Sequence, residues 1–476
     1  MSVAPTQADG GTSAPLSKAR LLALCASGAI PAVGIASFPL LLVGPAGYGS
    51  WVAALLTAAI GFALARIVIV FARRYVSSGS LASFAGEVFG QWARTVVAAA
   101  LMLGYLGQLI GIQVLFAIYL SSFLAGIGVD AATSPTSMVV MFLVSGAVPA
   151  VIARRGLDAS ARIAILLTAV SVPVLLFISG ASAWHTGLEL DRQLSLEGAS
   201  ISGIVIGLGA AAAWLVSFES GATLAEETAE PKNTVPLAVL VVPILVFGYF
   251  VMTVLQIPGL LRVGDQLATG ISAPAALAVE AGLGEGVARA TDLLLAAAVF
   301  AALLGYTNYL SRILAASAED GLLPQLFARR NHDFGTPGRA IGFAAGASTS
   351  ILIGTVVVSA DSLLTMYSAL ATMTVYLWVL PYVLICAAAV VLLVRENALG
   401  IGVVCCAAIG ALGMVWPWVN SFINPPAPPI DSMTYAAVAA VVALGLTLRI
   451  IRRRSDVAGS THDACAHGLD RKSADG

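Results

Sequence analysis

Charge is what this chain lacks. Of its 476 residues only 10% are Asp, Glu, Lys or Arg, against 59% hydrophobic, whereas a soluble globular protein carries about 25% charged residues. So few charges cannot cover a water-facing surface, and the chain reads as a polytopic membrane protein. Histidine is scarcer still, with four residues, all in loops or the tail. No His-Glu-x-x-His and no nucleophile elbow occurs, so a membrane-embedded enzyme lacks its usual clusters and no cofactor is expected. Cysteine is sparse too. Cys25, Cys386, Cys405 and Cys406 sit in apolar runs and Cys465 in a polar tail, which suits small packing residues or free thiols and not a disulfide framework. The net charge of −1 says little about partners, and nothing in its distribution suggests nucleic acid.

What is present in abundance is the long hydrophobic run. A spanning helix needs roughly 20 mostly apolar residues. By that measure the chain predicts twelve spans, over 21–43, 49–70, 95–124, 137–153, 162–182, 200–218, 236–257, 288–311, 340–358, 364–393, 400–419 and 433–451. With the N-terminus placed in the cytoplasm, 21 of the 24 Lys and Arg fall at cytoplasmic ends, loops or tails. Only Arg192, Arg262 and Arg289 fall outside. The positive-inside rule therefore places both termini inside. The first run is as long as a spanning helix and a second follows it, which argues against a cleaved signal peptide.

Four stretches follow: a disordered N-terminus over 1–20, a ten-helix core over 21–394, helices eleven and twelve over 395–454, and a disordered tail over 455–476. Residues 77–92, with Ser80, Phe84, Val88 and Trp92 at helical spacing, suggest an amphipathic helix along the cytoplasmic face, and 272–283 a short external helix. His462, Asp463, Cys465 and His467 in the tail fit no standard metal spacing, so no metal is expected.

Two spans look interrupted. The first reads Ser27-Gly28-Ala29-Ile30-Pro31-Ala32-Val33-Gly34, where Pro31 removes a backbone donor and Gly34 tolerates unusual dihedrals. The sixth runs through Gly203, Gly207 and Gly209 to Ala213-Trp214-Leu215-Val216-Ser217-Phe218-Glu219, with its break expected at Ser217. Freed backbone groups at membrane depth must be buried in protein or face a watery cavity. Interrupted helices at corresponding positions of two halves point to a substrate site at an inverted-repeat interface. Spans one and six are five apart, so the expected fold is a five-plus-five inverted repeat with broken helices 1 and 6 and two helices appended. Half-helix N-termini there would offer N–H groups and a positive dipole to a carboxylate, and exposed carbonyls would accept from an ammonium. Glu219 is costly at membrane depth, and such a residue is a functional-site hypothesis by default.

The stretch from Phe218-Glu219 through Glu226-Glu227 and Pro231-Lys232-Asn233 to Val235-Pro236 resembles the sixth-helix exit of the amino acid–polyamine–organocation (APC) permeases. Gly305-Tyr306 through Arg312, Asp320-Gly321-Leu322-Leu323-Pro324 and Gly335-Thr336-Pro337 resemble the exit from their eighth helix. Leu380-Pro381-Tyr382 with Cys386-Ala387-Ala388 is similar to the basic amino acid/polyamine antiporter group. The resemblance implies a permease or antiporter that moves an amino acid, polyamine or related small amine across the plasma membrane by alternating access, as a monomer or homodimer, with H+ as the coupling ion to consider. The alternative is a transport-dead sensor or channel-like protein on the same fold. A major-facilitator carrier should have an Asp-Arg-containing loop between spans two and three; here that loop reads Arg73-Arg74-Tyr75-Val76-Ser77.

Residue roles follow from the same resemblance. Ala32, Val33 and Gly34 stand where relatives hold the substrate carboxylate with Gly-Ser-Gly, so the hydroxyl is lost and Val33 narrows the pocket. Val216 matches a carbonyl that meets the substrate amine, and Ser217 replaces a Gly. Glu219 matches a gate or recognition carboxylate, and Tyr306 a pocket aromatic able to face a cation. Trp214 lies one position off the aromatic that stacks on arginine, and Ala213 occupies that position, so arginine is not the expected substrate. Ser171 stands where some proton-coupled relatives place a Lys, which leaves Glu219 as the best proton carrier. Gln108 and Gln113 suit either the pocket or interhelical bonding. Asp292 is expected to pair with Arg289, Arg312 to anchor the cytoplasmic gate, and Glu226, Glu227 and Glu230 to be solvated.

Overall fold

No water in a bilayer core satisfies backbone N–H and C=O groups, so apolar runs of this length resolve as α-helices. The computed structural model describes residues 15–268, 271–358 and 362–472, the stretch beyond Arg452 as backbone alone. Among these residues there is no strand. The helices are α1 (Lys18–Gly28), α2 (Pro31–Ala46), α3 (Ser50–Ala72), α4 (Leu81–Phe89), α5 (Gln91–Gly126), α6 (Pro135–Arg154), α7 (Leu157–Thr186), α8 (Leu190–Leu194) and α9 (Ile201–Ala211). There follow α10 (Pro231–Val239), α11 (Val241–Arg262), α12 (Gly264–Ala268), α13 (Ala273–Glu280), α14 (Glu285–Glu319), α15 (Gly338–Val358), α16 (Leu363–Arg395), α17 (Ile401–Ile423) and α18 (Met433–Lys472).

Ten helical runs among the described residues are long and apolar enough to cross a bilayer. The first, Lys18–Ala72, holds 55 residues, far more than one crossing needs; it comprises α1, α2 and α3. The apolar helix Ile201–Trp214 is shorter than a crossing. It stops early because the chain changes hand a few residues on. Helices α5 and α14 overshoot their apolar runs, since backbone bonding continues once the chain has left the hydrocarbon.

Burial sorts the helices. Helices α5 and α14 pack on each other at the centre, with α16 against α5 and α7 against α14. Helix α2 lies across both α9 and α11. The run Ile430–Arg452 is only 22% buried over its most apolar window, so α18 stands at the periphery, against α5 and α16.

Three expectations are corrected here. The N-terminal segment, expected to be disordered to residue 20, is ordered from residue 15: the Leu16 N–H donates to the Glu227 carbonyl at 2.8 Å and its carbonyl accepts from Ala229 at 3.0 Å, and helix begins at Lys18. Residues 1–14 lie outside the described residues. The amphipathic helix over 77–92 is shorter, α4 alone, because Gly90 at φ 80° ends it and Trp92 begins α5. Its Phe84 turns inward and stacks on Phe71 at 5.5 Å. The backbone of α18 runs helically past Ser455 to Lys472, where a disordered tail was expected; the tail side chains lie outside the described residues. The external helix expected over 272–283 is α13.

Candidate functional site

The first break sits just ahead of a proline. Pro31 has no N–H to bond backwards, and its ring disfavours helical geometry at the residue before it. Helix α1 accordingly stops at Gly28, Ile30 adopts φ 50°, ψ 59°, and α2 opens on Pro31. A left-handed conformation at a β-branched residue is an outlier, and such strain clusters at functional sites. The first bond of α2 runs from the Gly34 N–H to the Ile30 carbonyl at 3.0 Å. The Ala32 and Val33 N–H groups therefore precede the helical ladder, as the orphan donors of any helix start do.

The second break mirrors the first. Helix α9 tightens into a 3₁₀ turn over Ala212–Trp214, Ser217 takes φ 58°, and the chain continues as a 3₁₀ segment over Ser220–Glu227. Each break thus holds one non-glycine residue in the left-handed region, and α2 and α9 pack together.

A cavity of about 600 Å³ lies at the breaks, within the range of small-molecule sites. Val33, Gln108, Trp214, Ser217, Tyr249 and Tyr306 are on its wall. Tyr306 ties three elements together: its hydroxyl is hydrogen-bonded to Ser217 and accepts from the Gln108 amide at 3.4 Å. Tyr249 lies flat on Gly34, where a Cβ would fall 2.1 Å from its ring. Its ring also meets Trp214 at 5.5 Å and Phe38 at 5.6 Å. The Tyr249 hydroxyl is buried without a hydrogen-bond partner. Among the described residues on the wall there is no Asp, Glu, Lys, Arg or His.

The cavity opens at one end only. Its mouth is lined by Leu41, Leu364 and Ile430, at the end of the molecule that carries 47–49 and 424–430. At the other end Tyr309 donates to the Leu24 carbonyl at 3.1 Å, and below it Arg312, 1% exposed, grips Glu227 with two nitrogens at 3.0 and 3.2 Å. Arg312 also donates to Asn308 at 2.7 Å and Ser311 at 3.1 Å. Arg330 reaches Glu227 at 3.5 Å and Glu226 at 3.9 Å, and Arg94 reaches Asp320 at 3.2 Å.

Glu219 is fully buried just past Ser217, off the cavity wall. Tyr382 donates to one carboxylate oxygen at 2.7 Å. Tyr105 and Trp378 donate to the other at 2.9 and 3.2 Å. Three aromatic donors from α5 and α16 thus hold one carboxylate from the break, the arrangement a buried anion requires. Tyr382 also lies 3.3 Å from the Leu215 carbonyl.

The structure brings Gln108, Val33, Trp214, Val216, Ser217 and Tyr306 to the wall and leaves Ala32, Gly34, Glu219 and Arg312 behind it. Gln113 bonds Thr349 at 3.3 Å, between helices, and Ser171 bonds back to the Leu167 carbonyl at 2.8 Å. Two expectations fail. Asp292 accepts from Ser122 at 2.6 Å and Ser272 at 2.8 Å, while Arg289 pairs with Glu285 one turn away at 2.9 Å; two hydroxyls on neighbouring elements reach Asp292 where the flexible guanidinium turns outward. Glu226 and Glu227 are not simply solvated but paired, because the loop carrying Arg330 folds back over them. Tyr249, Tyr105 and Trp378 escaped sequence reasoning, since an aromatic in an apolar span carries no local mark. Tyr382 had one, beside Pro381. Among the described residues no cluster of three His, Cys, Asp or Glu could hold a metal ion.

With this geometry in place, comparison with known proteins is informative. A family model described as amino acid permease matches residues 19–445. A curated relative, cationic amino acid transporter 2, vacuolar, of Arabidopsis thaliana, is 26% identical over 219 residues, covering 45% of this chain and 33% of the relative. The match thus spans about a third of that relative's length.

Proposed function

The chain belongs to the amino acid permease family, and on that footing we propose that it is a secondary transporter, not an enzyme, which carries an amino acid across the plasma membrane by alternating access. The observation that carries this reading is the meeting of two broken helices beside a cavity open at one end. Counting α1 with α2 as one span, α3 as the next and α9 with its 3₁₀ extension as the sixth gives twelve crossings. In that scheme the first ten form two five-helix repeats of opposite topology. The charge bias of the loops puts both termini in the cytoplasm, so the open mouth faces outward and the Arg312–Glu227 pair seals the inner end. A channel would need the cavity to continue past that pair.

The N-terminus of α2 offers its Ala32 and Val33 N–H groups to a carboxylate, with the free Tyr249 hydroxyl on the same side of the cavity. Across from it the unwound backbone at Val216 supplies a carbonyl for the ammonium. A second charge on the solute would have no partner on the wall, and a buried unpaired ion costs several kcal/mol. The reading therefore narrows to amino acids without a charged side chain, and away from polyamines and arginine. The curated relative is named for cationic amino acids, and the wall here offers no carboxylate to match. Glu219, sealed behind Ser217 and Tyr306, is the group assigned to proton coupling: it links the hinge of the sixth span to α5 and α16.

The test is a thermal-shift screen of the purified protein against neutral amino acids, arginine, lysine and putrescine, followed by counterflow of labelled solute in proteoliposomes. Stabilisation and counterflow by neutral amino acids are expected. Binding without counterflow would make the protein a sensor, and binding by none of these solutes would end the transport reading.

A further inference from the structure

A second cavity, about 850 Å³, runs along the outside of the bundle between α18 and the facing sides of α5, α16 and α17. Tyr376 borders both this groove and the central cavity. Over most of its length the wall is Val and Leu, as on Val383, Val442 and Leu446. At one end the lining turns polar, with Gln91, Arg449 and Arg452. No Asp or Glu is among its described lining residues.

That polar end consists of donors. The two guanidinium groups have no acceptor function at all. The Gln91 Nε2 is buried and lacks a hydrogen-bond partner, and a buried donor of that kind ordinarily has one. Beside it Trp92 is 58% exposed, the type of side chain that settles at a membrane–water interface. From Ala437 to Arg452 α18 rises about 22 Å at 1.5 Å per residue. One leaflet contributes about half of the roughly 30 Å hydrocarbon core, plus its headgroup zone, so the groove has the length of one leaflet and not of a partner helix crossing the whole bilayer.

We propose that this groove binds one anionic phospholipid, its acyl chains along α18 and its phosphate between Arg449, Arg452 and Gln91. Charge complementarity selects the headgroup: the donors accept a net negative lipid, whereas a choline headgroup brings its own cation among two arginines. The basic end is the one that lies with the other Lys and Arg, hence in the leaflet where anionic lipid attracts basic residues. Because α18 otherwise rests on α5 and α16, the lipid completes the packing of the last helix.

The full-length protein in detergent is titrated with phosphatidylglycerol or phosphatidylcholine of identical chains and read by native mass spectrometry. One tightly retained phosphatidylglycerol is expected, and the preference should fall on the order of fivefold for each of Arg449→Gln and Arg452→Gln. Gln91→Leu should weaken it further, and Arg449→Lys should largely retain it. Leu446→Trp, which fills the groove without touching a charge, should displace the lipid and serves as the readout if the arginine variants do not fold. Equal retention of the two lipids, a preference unchanged by the arginine substitutions, or a protein dimer that Leu446→Trp dissociates would each overturn the proposal, the last by assigning the groove to a second copy.

Discussion

Three hydroxyl or indole donors converge on the carboxylate of Glu219, from residues 105, 378 and 382. An amide in its place accepts through one oxygen only and turns an NH2 group toward hydroxyls that also donate. Glu219→Gln is therefore expected to lower thermal stability by about 1–3 kcal/mol, the cost of leaving a buried polar group unpaired, and to abolish the pH dependence of uptake. Tyr382→Phe removes a donor but keeps the ionisable group, so its pH profile should resemble that of the parent. A Glu219→Gln protein with an unaltered pH profile would take Glu219 out of the coupling mechanism. The sequence marks Glu219 plainly, as a carboxylate where lipid is expected. It does not mark the partners, which sit more than a hundred positions away on spans whose periodicity is saturated with apolar residues.

Among the elements, the two breaks are set by local chemistry and the two ends of the bundle by long-range pairing. At the inner end, Glu227→Gln leaves Arg312 buried with only Asn308 and Ser311 as partners. The closed state should lose about 2–3 kcal/mol, less than a wholly unpaired buried charge would cost. Cys25, buried on the cavity floor, should then react with an impermeant maleimide from the side carrying Arg312, and unchanged labelling would show that the pair is not the seal. At the outer end the loop around α8 is tied by Glu189, which accepts from Tyr48 and pairs with Arg262 at 3.0 Å and Arg192 at 3.1 Å. The Tyr48 hydroxyl first, then the two arginines, hold its carboxyl below the ordinary 4.5, against the opposing effect of burial. A depressed carboxylate contributes stability that is complete above its unfolded value and lost as pH falls through the folded one. The melting temperature should therefore stay level from neutral pH to about 4.5 and decline below it, and Glu189→Gln should weaken that acid-induced decline while lowering the level at neutral pH. An identical acid decline in the variant would place the sensitivity elsewhere.

For the whole molecule, alternating access requires the open mouth to close when the site is filled. Ile206 on α9 and Leu364 on α16 both line the cavity and are exposed. Spin labels there should move closer on adding a bound amino acid, and a distance distribution blind to solute would argue against a moving gate. Composition alone dictates a membrane protein built from helices, because a bilayer leaves the backbone few other ways to satisfy its hydrogen bonds. Pro31 and the polar cluster after Trp214 dictate where two of those helices falter, since a missing N–H and a small polar residue act within a turn of themselves. Which side chains surround the faltering points is a different matter. The sequence was silent on Tyr249 over Gly34, on the aromatic cradle of Glu219, on Arg312 gripping Glu227, and on the absence of any charge from the cavity wall. Each depends on which faces of distant helices meet, and uniformly apolar helices do not announce their facing sides; only their packing into one bundle decides it.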